Sequence, residues 1–303
     1  MSRSKLGRAL AAALATLSVA LLAGCSIGPL ELPDIDLSGI VEALTPTSVA
    51  EAREARKAEA TQVVSDSSLI TAGTLTVGIL TSETTPLAGT SDDGTAMGID
   101  YDVAYALADE LGLLSVEFVS VTSVDAGLAT CDVVLGATSD STSATVYGNY
   151  AQDAIGVFTT ASVDSVPVSL ESLSGATVGV QSGSVSEETL NELAVSVTPS
   201  TYSNLNEAFE ALAAGEVDYV VCDVYAGSYL AAAYDGVSYA GLLTSPTSVG
   251  VAVSSDATEL GTAVQSAMDA LDSNGVADLI RSRWLSFSDV VTSDDLLTGI
   301  ASE

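Results

Sequence analysis

The sequence predicts an α/β fold made of two similar halves. After an N-terminal spacer, short β-branched segments alternate with amphipathic segments of helical period. Residues 74–80 alternate as a strand. In the next segment, Val103, Leu107 and Leu111 share one helix face. Because neighbouring parallel strands need a crossover connection, this alternation favours mainly parallel sheets with helices on both faces.

A short passage repeats in the two halves. In each, a helical segment ends and an aspartate stands at the entry to a β-branched strand, Asp132 in one half and Asp218 in the other. The repetition implies two α/β halves of similar design. The remaining predicted strands lie at 115–119, 154–160, 176–181 and 248–254, and the remaining helices at 184–193, 205–215 and 256–274, with a last helix that carries Leu279, Ile280 and Trp284.

The stretch after the strand 132–135, as far as Tyr150, consists largely of Ser, Thr, Ala and Asp and contains no basic residue. It is predicted to be a polar loop at the rim of a sheet, where ligands usually bind in α/β proteins. The missing positive charge limits what this loop can hold.

The charge of the chain excludes several classes of function. It carries 40 acidic and 8 basic residues, a formal net charge of −32. Nucleic-acid binding needs a basic face and is therefore excluded, and electrostatic attraction to anionic lipid is excluded for the same reason. A strong negative net charge keeps a protein soluble, which suits an exported protein.

The residue types also exclude many catalytic mechanisms. The chain contains no histidine, which removes Ser-His-Asp triads, Cys-His dyads and His-ligated metals. After the signal segment the only lysine is Lys57, so lysine-based covalent mechanisms are excluded too. Cys131 and Cys222 have no basic neighbour that would lower the pKa of the thiol. We therefore expect no catalytic residue, no metal and no cofactor.

Residues 1–25 are predicted to form a lipoprotein signal peptide. A basic start precedes an apolar run that is too short for an ordinary membrane span, and Leu22-Ala-Gly-Cys25 resembles the bacterial lipobox. Cys25 would then carry the lipid and tether the mature protein outside the cell membrane. Residues 26–68 are predicted to form a flexible or helical spacer.

Four stretches and a closing helix follow one another in a distinctive order. They are Gly73-Thr-Leu-Thr-Val-Gly-Ile, Gly98-Ile-Asp-Tyr-Asp-Val-Ala with the later Ala-Leu-Ala, Leu173-Ser-Gly-Ala-Thr-Val-Gly-Val-Gln-Ser-Gly-Ser, Ala213-Ala-Gly-Glu-Val-Asp-Tyr-Val-Val-Cys-Asp, and Ile280-Arg-Ser-Arg-Trp. Over residues 69–287 this series resembles the extracytoplasmic solute-binding proteins of ABC importers, specifically the polar amino-acid family.

The resemblance implies a two-lobe fold of the type II periplasmic-binding-protein kind, in which a hinge closes the lobes on a small polar solute. Lobe 1 would comprise residues 69–156 and 250–290, lobe 2 residues 157–249, and residues 291–303 would form a C-terminal tail. The implied partners are an ABC permease and its ATPase subunits. The implied state is a lipid-anchored monomer.

The resemblance also implies where the ligand binds. Asp223 matches the carboxylate that holds a ligand amino group in the family, although it could also be a solvated acid at a strand end. Ser184 could be only a helix cap, or it could open a helix N-terminus that also binds an anion. The implied ligand-binding residues are Thr81, Ser82, Glu83, Ala137, Thr138, Ser143, Ser184, Val185 and Asp223.

One residue that the family usually has is missing here. An arginine about five residues after Thr138 holds the α-carboxylate of the ligand in the family, but Thr142, Ser143 or Ala144 occupies that place. The ligand therefore either lacks an α-carboxylate or is held by backbone N–H and hydroxyl groups. An acidic cleft that keeps Asp223 favours a cationic or neutral polar solute.

Two other functions are compatible with the same fold. One is a ligand-sensing receptor, and the other is a dehydratase-like cleft enzyme, against which the missing His and the scarcity of Lys and Arg argue. The layout that the resemblance implies places Cys131 at the far start of a lobe 1 strand and Cys222 at the cleft end of a lobe 2 strand, too far apart for a disulfide, so we predict two free thiols.

Overall fold

A computed structural model of the chain describes residues 61–82, 84–91, 93–139, 144–161, 168–286 and 290–300. All of them lie in the unit Ala55–Glu303. Within these ranges, no helix has the length and apolar character needed to span a membrane. The predicted signal peptide with Cys25, and the spacer up to residue 60, lie outside the described residues.

The first part of the chain builds one sheet. The segment runs through β1 (Thr74–Leu80), β2 (Gly89–Thr90), β3 (Ala96–Met97), α1 (Ile99–Glu110), β4 (Ser115–Val121), α2 (Val124–Leu128), β5 (Val133–Thr138) and β6 (Ala144–Asp153). The short strands β2 and β3 pair with each other in a separate two-stranded sheet. Strand β1 lies parallel to both β4 and β5. Helix α1 packs on this sheet through its buried face, which includes Val103 and Leu107, as the sequence spacing predicts.

The middle of the chain builds a second sheet, and the chain then returns to the first. The elements of the second sheet are β7 (Ile155–Thr159), β8 (Thr177–Gln181), α3 (Val185–Glu192), β9 (Thr198–Tyr202), α4 (Leu205–Ala214), β10 (Tyr219–Asp223), α5 (Val224–Ala231) and β11 (Ser238–Leu242). The returning elements are β12 (Thr247–Ser254), α6 (Thr258–Ser273) and α7 (Val276–Trp284).

The two sheets share one strand arrangement. The first has the order β4-β1-β5-β12-β6, and the second, read in the matching direction, has β9-β8-β10-β7-β11. In each sheet three parallel strands are followed by a fourth that runs in the opposite direction and by a fifth that pairs antiparallel with the fourth. We call the first sheet with its helices lobe 1 and the second with its helices lobe 2. The predicted α/β fold of two similar lobes is confirmed, and antiparallel strands complete each sheet.

One aspartate in each lobe accounts for the passage that repeats in the sequence. In lobe 1, the Asp132 N–H donates to the Thr76 carbonyl oxygen at 2.9 Å, and the Thr76 N–H donates to Asp132 Oδ2 at 2.8 Å. In lobe 2, the Asp218 N–H donates to the Thr177 carbonyl oxygen at 2.8 Å, and the Thr177 N–H donates to Asp218 Oδ2 at 2.8 Å. Each aspartate thus fixes its own strand against the start of the neighbouring parallel strand.

Residues 144–153 differ from the sequence prediction. The sequence predicts a polar loop as far as Tyr150, whereas the structure has strand β6, which pairs antiparallel with β12. Tyr150 is only 2% exposed. Because β12 follows about a hundred residues later, the local sequence does not reveal the strand that pairs with β6. Strands β9 and β11 and helices α2 and α5 are likewise absent from the sequence prediction.

Two short passages connect the lobes. The chain enters lobe 2 between Asp153 and Ile155 and returns to lobe 1 between Leu242 and Thr247. The sequence places the lobe boundaries after residue 156 and before residue 250, and these boundaries stay a prediction. The two passages between the sheets lie a few residues earlier in the chain than those positions.

A third connection is made by residues 290–300. Val291 is buried against the core of lobe 1, and Leu297 is buried in the core of lobe 2. The Leu297 N–H donates to the Leu242 carbonyl oxygen at 2.9 Å, beside the edge strand β11. Gly241, with φ +139°, leaves room for this segment, because an added Cβ would lie 2.6 Å from a Leu297 methyl group. The described part of the expected tail therefore packs on both lobes.

The two cysteines lie in different lobes. Cys131 immediately precedes β5, and Cys222 lies near the end of β10. Both are buried and free, which confirms the prediction of two free thiols.

Candidate functional site

A cleft lies between the two lobes where strands of both sheets end. Its cavity volume is about 430 Å³. Lobe 1 contributes the loop after β1 and the ends of β5 and β6, and lobe 2 contributes the end of β10 and the start of α3. The lining residues are Ser82, Thr84, Thr85, Pro86, Leu87, Gly136, Thr138, Gln152, Asp153, Ile155, Gln181, Ser184, Val185, Ser186, Leu205, Cys222, Asp223, Ala226 and Val249.

Asp223 is the last residue of β10 and caps the N-terminus of α5. Its Oδ1 accepts a hydrogen bond from the Ala226 N–H at 2.8 Å. Burial raises the pKa of Asp223 from 3.8 to about 6, because surrounding protein atoms remove water from the carboxylate and the charge of Asp153 adds to the effect. Backbone N–H groups at the start of α5 limit this rise in the pKa. Asp223 is thus a poorly hydrated carboxylate that faces the cleft.

The start of α3 is capped by its own side chains. Ser184 Oγ accepts a hydrogen bond from the Glu187 N–H at 3.2 Å and donates one to the Gln181 carbonyl oxygen at 2.7 Å. Glu187 Oε2 accepts a hydrogen bond from the Gly183 N–H at 2.6 Å. Val185, 68% exposed, stands at the rim of the cleft. Ser184 is therefore a helix cap that also lines the cleft.

The opposite wall, from lobe 1, is rich in hydroxyl groups. Ser82, Thr84 and Thr85 follow β1, and Thr138 ends β5. Leu87 adds an apolar surface beside them. This wall can donate and accept hydrogen bonds but carries no positive charge.

A buried tyrosine supports the floor of the cleft. The Gly136 N–H donates to Tyr150 Oη at 2.7 Å, and Tyr150 Oη donates to Asp100 Oδ1 at 2.8 Å. Asp100 is fully buried. Arg281 Nη1 lies 3.5 Å from the Tyr150 carbonyl oxygen. These contacts join α1, β5, β6 and α7 beneath the site.

Gln152 is held by contacts from both lobes. Tyr225 Oη, from lobe 2, donates to Gln152 Oε1 at 2.9 Å, and Gln152 Nε2 donates to Asn149 Oδ1 at 2.6 Å. Burial raises the pKa of Tyr225, so its hydroxyl stays protonated and available as a donor. The orientation of the Gln152 amide is thus set before any solute arrives.

None of the cleft-lining residues in the described part of the chain is basic. The sequence contains no Lys, Arg or His between Lys57 and Arg281. Arg281 is 2% exposed and pairs with Asp278. Arg283 pairs with Asp102 at 3.0 Å on the surface of lobe 1. Among the described residues, no cluster of three or more His, Cys, Asp or Glu side chains could hold a metal ion.

Comparison with known proteins identifies the fold. No protein-family model matches the chain, and no curated protein matches it in sequence. An ancestral cationic amino acid solute-binding protein superposes on it with a TM-score of 0.60 and 26% identity, over 70% of this chain and 96% of the other. The chain has the fold of amino-acid solute-binding proteins.

Two further solute-binding proteins show the same fold. A polar amino acid ABC uptake transporter substrate-binding protein from Streptococcus thermophilus gives a TM-score of 0.61 with 23% identity, over 74% of this chain and 89% of the other. The L-cystine solute receptor of Neisseria gonorrhoeae, in its unliganded open conformation, gives 0.60 with 21% identity, over 72% of this chain and 95% of the other. The resemblance inferred from residues 69–287 is confirmed at the level of the fold.

The cleft of this solute-binding fold gathers five of the nine predicted ligand-binding residues: Ser82, Thr138, Ser184, Val185 and Asp223.

Of the other four predicted residues, two do not line the cleft and two are not among the described residues. Thr81 follows β1, is exposed and does not line the cleft. Its N–H donates a hydrogen bond to the Val121 carbonyl oxygen at 2.9 Å. Ala137 is 1% exposed and packs in a lobe 1 cluster with Val134. Glu83 and Ser143 lie outside the described residues.

Sequence reasoning missed Gln152 and Asp153 because β6 was read as a loop. It also missed Gln181, which precedes the predicted loop before α3. Polar residues at the end of each strand could have indicated these positions, because ligands of α/β proteins bind where strands end.

A second, more open groove lies on lobe 1 between α1 and α6. Its volume is about 760 Å³, and Val63, Glu110 and Glu259 are among the residues that line it. It receives no residue from lobe 2. The inter-lobe cleft is therefore the better candidate for a solute site.

Proposed function

We propose that this protein is the extracytoplasmic solute-binding subunit of an ABC importer and captures an amino acid or another small polar solute by closing its lobes. The observation that carries the proposal is the cleft, in which Asp223 and the start of α3 face the hydroxyl-rich wall of lobe 1. The solute-binding proteins with the same fold support it. Of the predicted ligand residues, we retain those that line the cleft.

Lobe closure would bend the two short passages between the sheets. Helix α5 of lobe 2 also contacts the segment after α7, where Ser228 Oγ lies 2.8 Å from Ser286 Oγ. The Tyr229 ring lies 6.3 Å from the ring of Trp284 at the end of α7. A solute that contacts both walls binds the closed arrangement more tightly than the open one and shifts the population toward it.

This arrangement provides a direct test, because Trp284 is the only tryptophan of the chain. We expect a solute from a panel of amino acids, amines, sugars and nucleosides to change Trp284 fluorescence and to reduce the radius of gyration in small-angle X-ray scattering. Asp223→Ala should lose both responses, whereas Asp235→Ala, which alters an exposed acid of lobe 2, should keep them. Absence of both responses across the panel would contradict the proposal, and turnover of a bound solute would contradict its non-enzymatic part.

We also propose that Cys25 carries the lipid anchor and that the protein is a monomer that delivers solute to a permease with its ATPase. The predicted signal segment and lipobox support the anchor. Cys25→Ala should move the protein from the membrane fraction to the soluble exported fraction, while Cys131→Ala should leave it membrane-bound. Retention of the Cys25→Ala protein on membranes after a carbonate wash would rule out the anchor.

A further inference from the structure

Among the described residues that line the cleft, two carry charged side chains, and both are acidic. Asp223 comes from lobe 2 and Asp153 from the end of β6 in lobe 1. Among the described residues, the two arginines after Lys57 are paired elsewhere, with Asp278 and Asp102. Neither cleft carboxylate has a described cationic partner.

Asp223 is also poorly hydrated. Its pKa of about 6 shows that the protein opposes its charged form, chiefly through loss of water and in part through Asp153. A carboxylate in such a place gains most from a positive partner that brings hydrogen-bond donors. A solute ammonium group supplies both.

A solute carboxylate would find no such partner. The positive end of α3 is the structural feature that could hold it, but Glu187 already accepts the Gly183 N–H there at 2.6 Å, and Glu188 adds a second acid to the first turn. The Ser and Thr hydroxyls of the lobe 1 wall offer neutral donors only. A carboxylate in this cleft would be repelled by Asp153 and Asp223, and the donors that could offset this repulsion carry no full positive charge.

We propose that the cleft selects a cationic amine and that a carboxylate on the solute weakens binding. The proposal rests on the proposed solute-binding function and narrows its substrate class to amines that lack a carboxylate. Asp223 holds the ammonium group, and Asp153 favours solutes with a second positive charge.

Matched pairs of solutes test this directly: agmatine with arginine, cadaverine with lysine, and putrescine with ornithine. Each pair differs only by the carboxylate. In calorimetric titrations of the full mature protein at pH 7.5 and low salt, we expect the tightest-binding amine to bind at least 5-fold more tightly than its parent amino acid. A smaller preference, or tighter binding of the parent, overturns the proposal.

The outcome separates this proposal from the proposed function. If none of the six solutes binds while a neutral solute closes the lobes, the amine proposal fails and the solute-binding function stands. If no solute of the full panel binds or closes the lobes, both fail.

Variants and pH supply a second readout. Asp223→Asn keeps a residue that caps helices well, so the fold should persist while amine affinity falls at least 30-fold. Asp153→Asn should reduce amine affinity less, because Asp153 is exposed, and Asp235→Asn should leave it unchanged.

The pH dependence gives a further readout. Amine affinity should rise between pH 5 and pH 7.5 in the wild type, as Asp223 loses its proton in the presence of Asp153, and this rise should vanish in Asp223→Asn. An unchanged affinity in Asp223→Asn overturns the assignment of the ammonium site.

Discussion

The two lobes share a sheet design but use it differently. Both have three parallel strands and a fourth strand in the opposite direction between the third and the fifth, and both join two of the parallel strands through an aspartate, Asp132 in lobe 1 and Asp218 in lobe 2. Asp132 is 7% exposed and also accepts the Ile70 N–H at 2.8 Å, whereas Asp218 is exposed. The same motif therefore stabilises the two lobes to different extents, because water can replace the second aspartate but not the first.

The matching strands also end differently at the cleft. Strand β5 of lobe 1 ends in Thr138, and the corresponding strand β10 of lobe 2 ends in Asp223. Lobe 1 thus presents hydroxyl groups, and lobe 2 presents a partly buried carboxylate. A shared fold allows this difference because the last residue of a strand contributes little to its pairing and is free to serve the site.

The largest effect on stability should come from replacing Asp132, one of the two equivalent aspartates that join parallel strands. Asp132→Ala leaves the Thr76 and Ile70 N–H groups without their acceptor and should lower the free energy of unfolding by about 3–5 kcal/mol, because hydrogen bonds to charged groups contribute about 1.5–3 kcal/mol each. Asp218→Ala should lower it by about 1 kcal/mol. Urea denaturation followed by circular dichroism measures both. Equal losses would contradict the role that we assign to burial.

Asp223→Asn should make the protein more stable at neutral pH. A folded-state pKa of about 6, above the unfolded value of 3.8, means that the favourable contribution of this carboxyl is complete below pH 3.8 and is lost as the pH rises through 6. The variant should gain at most about 3 kcal/mol at pH 7.5, at 1.36 kcal/mol per pKa unit, and close to nothing at pH 4. Asp153 is the charged group that faces Asp223, and the pKa of the adjacent Cys222 thiol is raised, so the thiol stays neutral. Denaturation at the two pH values measures the difference, and an equal gain at both would contradict it.

The glycines at the centre of β1 and β8 offer a matched test of core packing. An added Cβ at Gly78 would lie 3.0 Å from Val134 Cγ2, whereas one at Gly179 would lie 3.3 Å from its nearest neighbours, Tyr202 and Val220. Gly78→Ala should therefore lower the free energy of unfolding by about 1–2 kcal/mol and Gly179→Ala by less. The opposite order in urea denaturation would show that the core of lobe 1 adapts more easily.

The smallest effect separates a cap from a site residue. Ser123 caps α2 in lobe 1 through the Ala126 N–H, and Ser184 caps α3 in lobe 2 through the Glu187 N–H. Each Ser→Ala variant should lower the free energy of unfolding by about 1 kcal/mol. Only Ser184→Ala should also change solute affinity in calorimetric titration, because Ser123 does not line the cleft. An unchanged affinity in Ser184→Ala would leave Ser184 with a capping role alone.

Much of the fold follows from local sequence. Strand β1 lies at residues 74–80 as the alternation predicts, and α1 buries the face that contains Val103 and Leu107. The repeated aspartates mark equivalent points of the two sheets. For the candidate site, the motif order leads to Ser184 and Asp223 because both lie where a strand gives way to a helix, which local sequence marks clearly.

The sequence by itself determined the two α/β halves and the lack of basic residues between Lys57 and Arg281, because these depend on residue type and local period. The free thiols followed from the layout that the family resemblance implies. Only the tertiary structure decided that residues 144–153 form a strand, that Gln152 and Asp153 reach the cleft, and that residues 290–300 bridge the lobes. Each of these depends on a partner far away in the chain, as when β12 pairs with β6 or the Leu297 N–H meets the Leu242 carbonyl oxygen. Such contacts form because folding brings distant backbone groups together, and no local pattern records them.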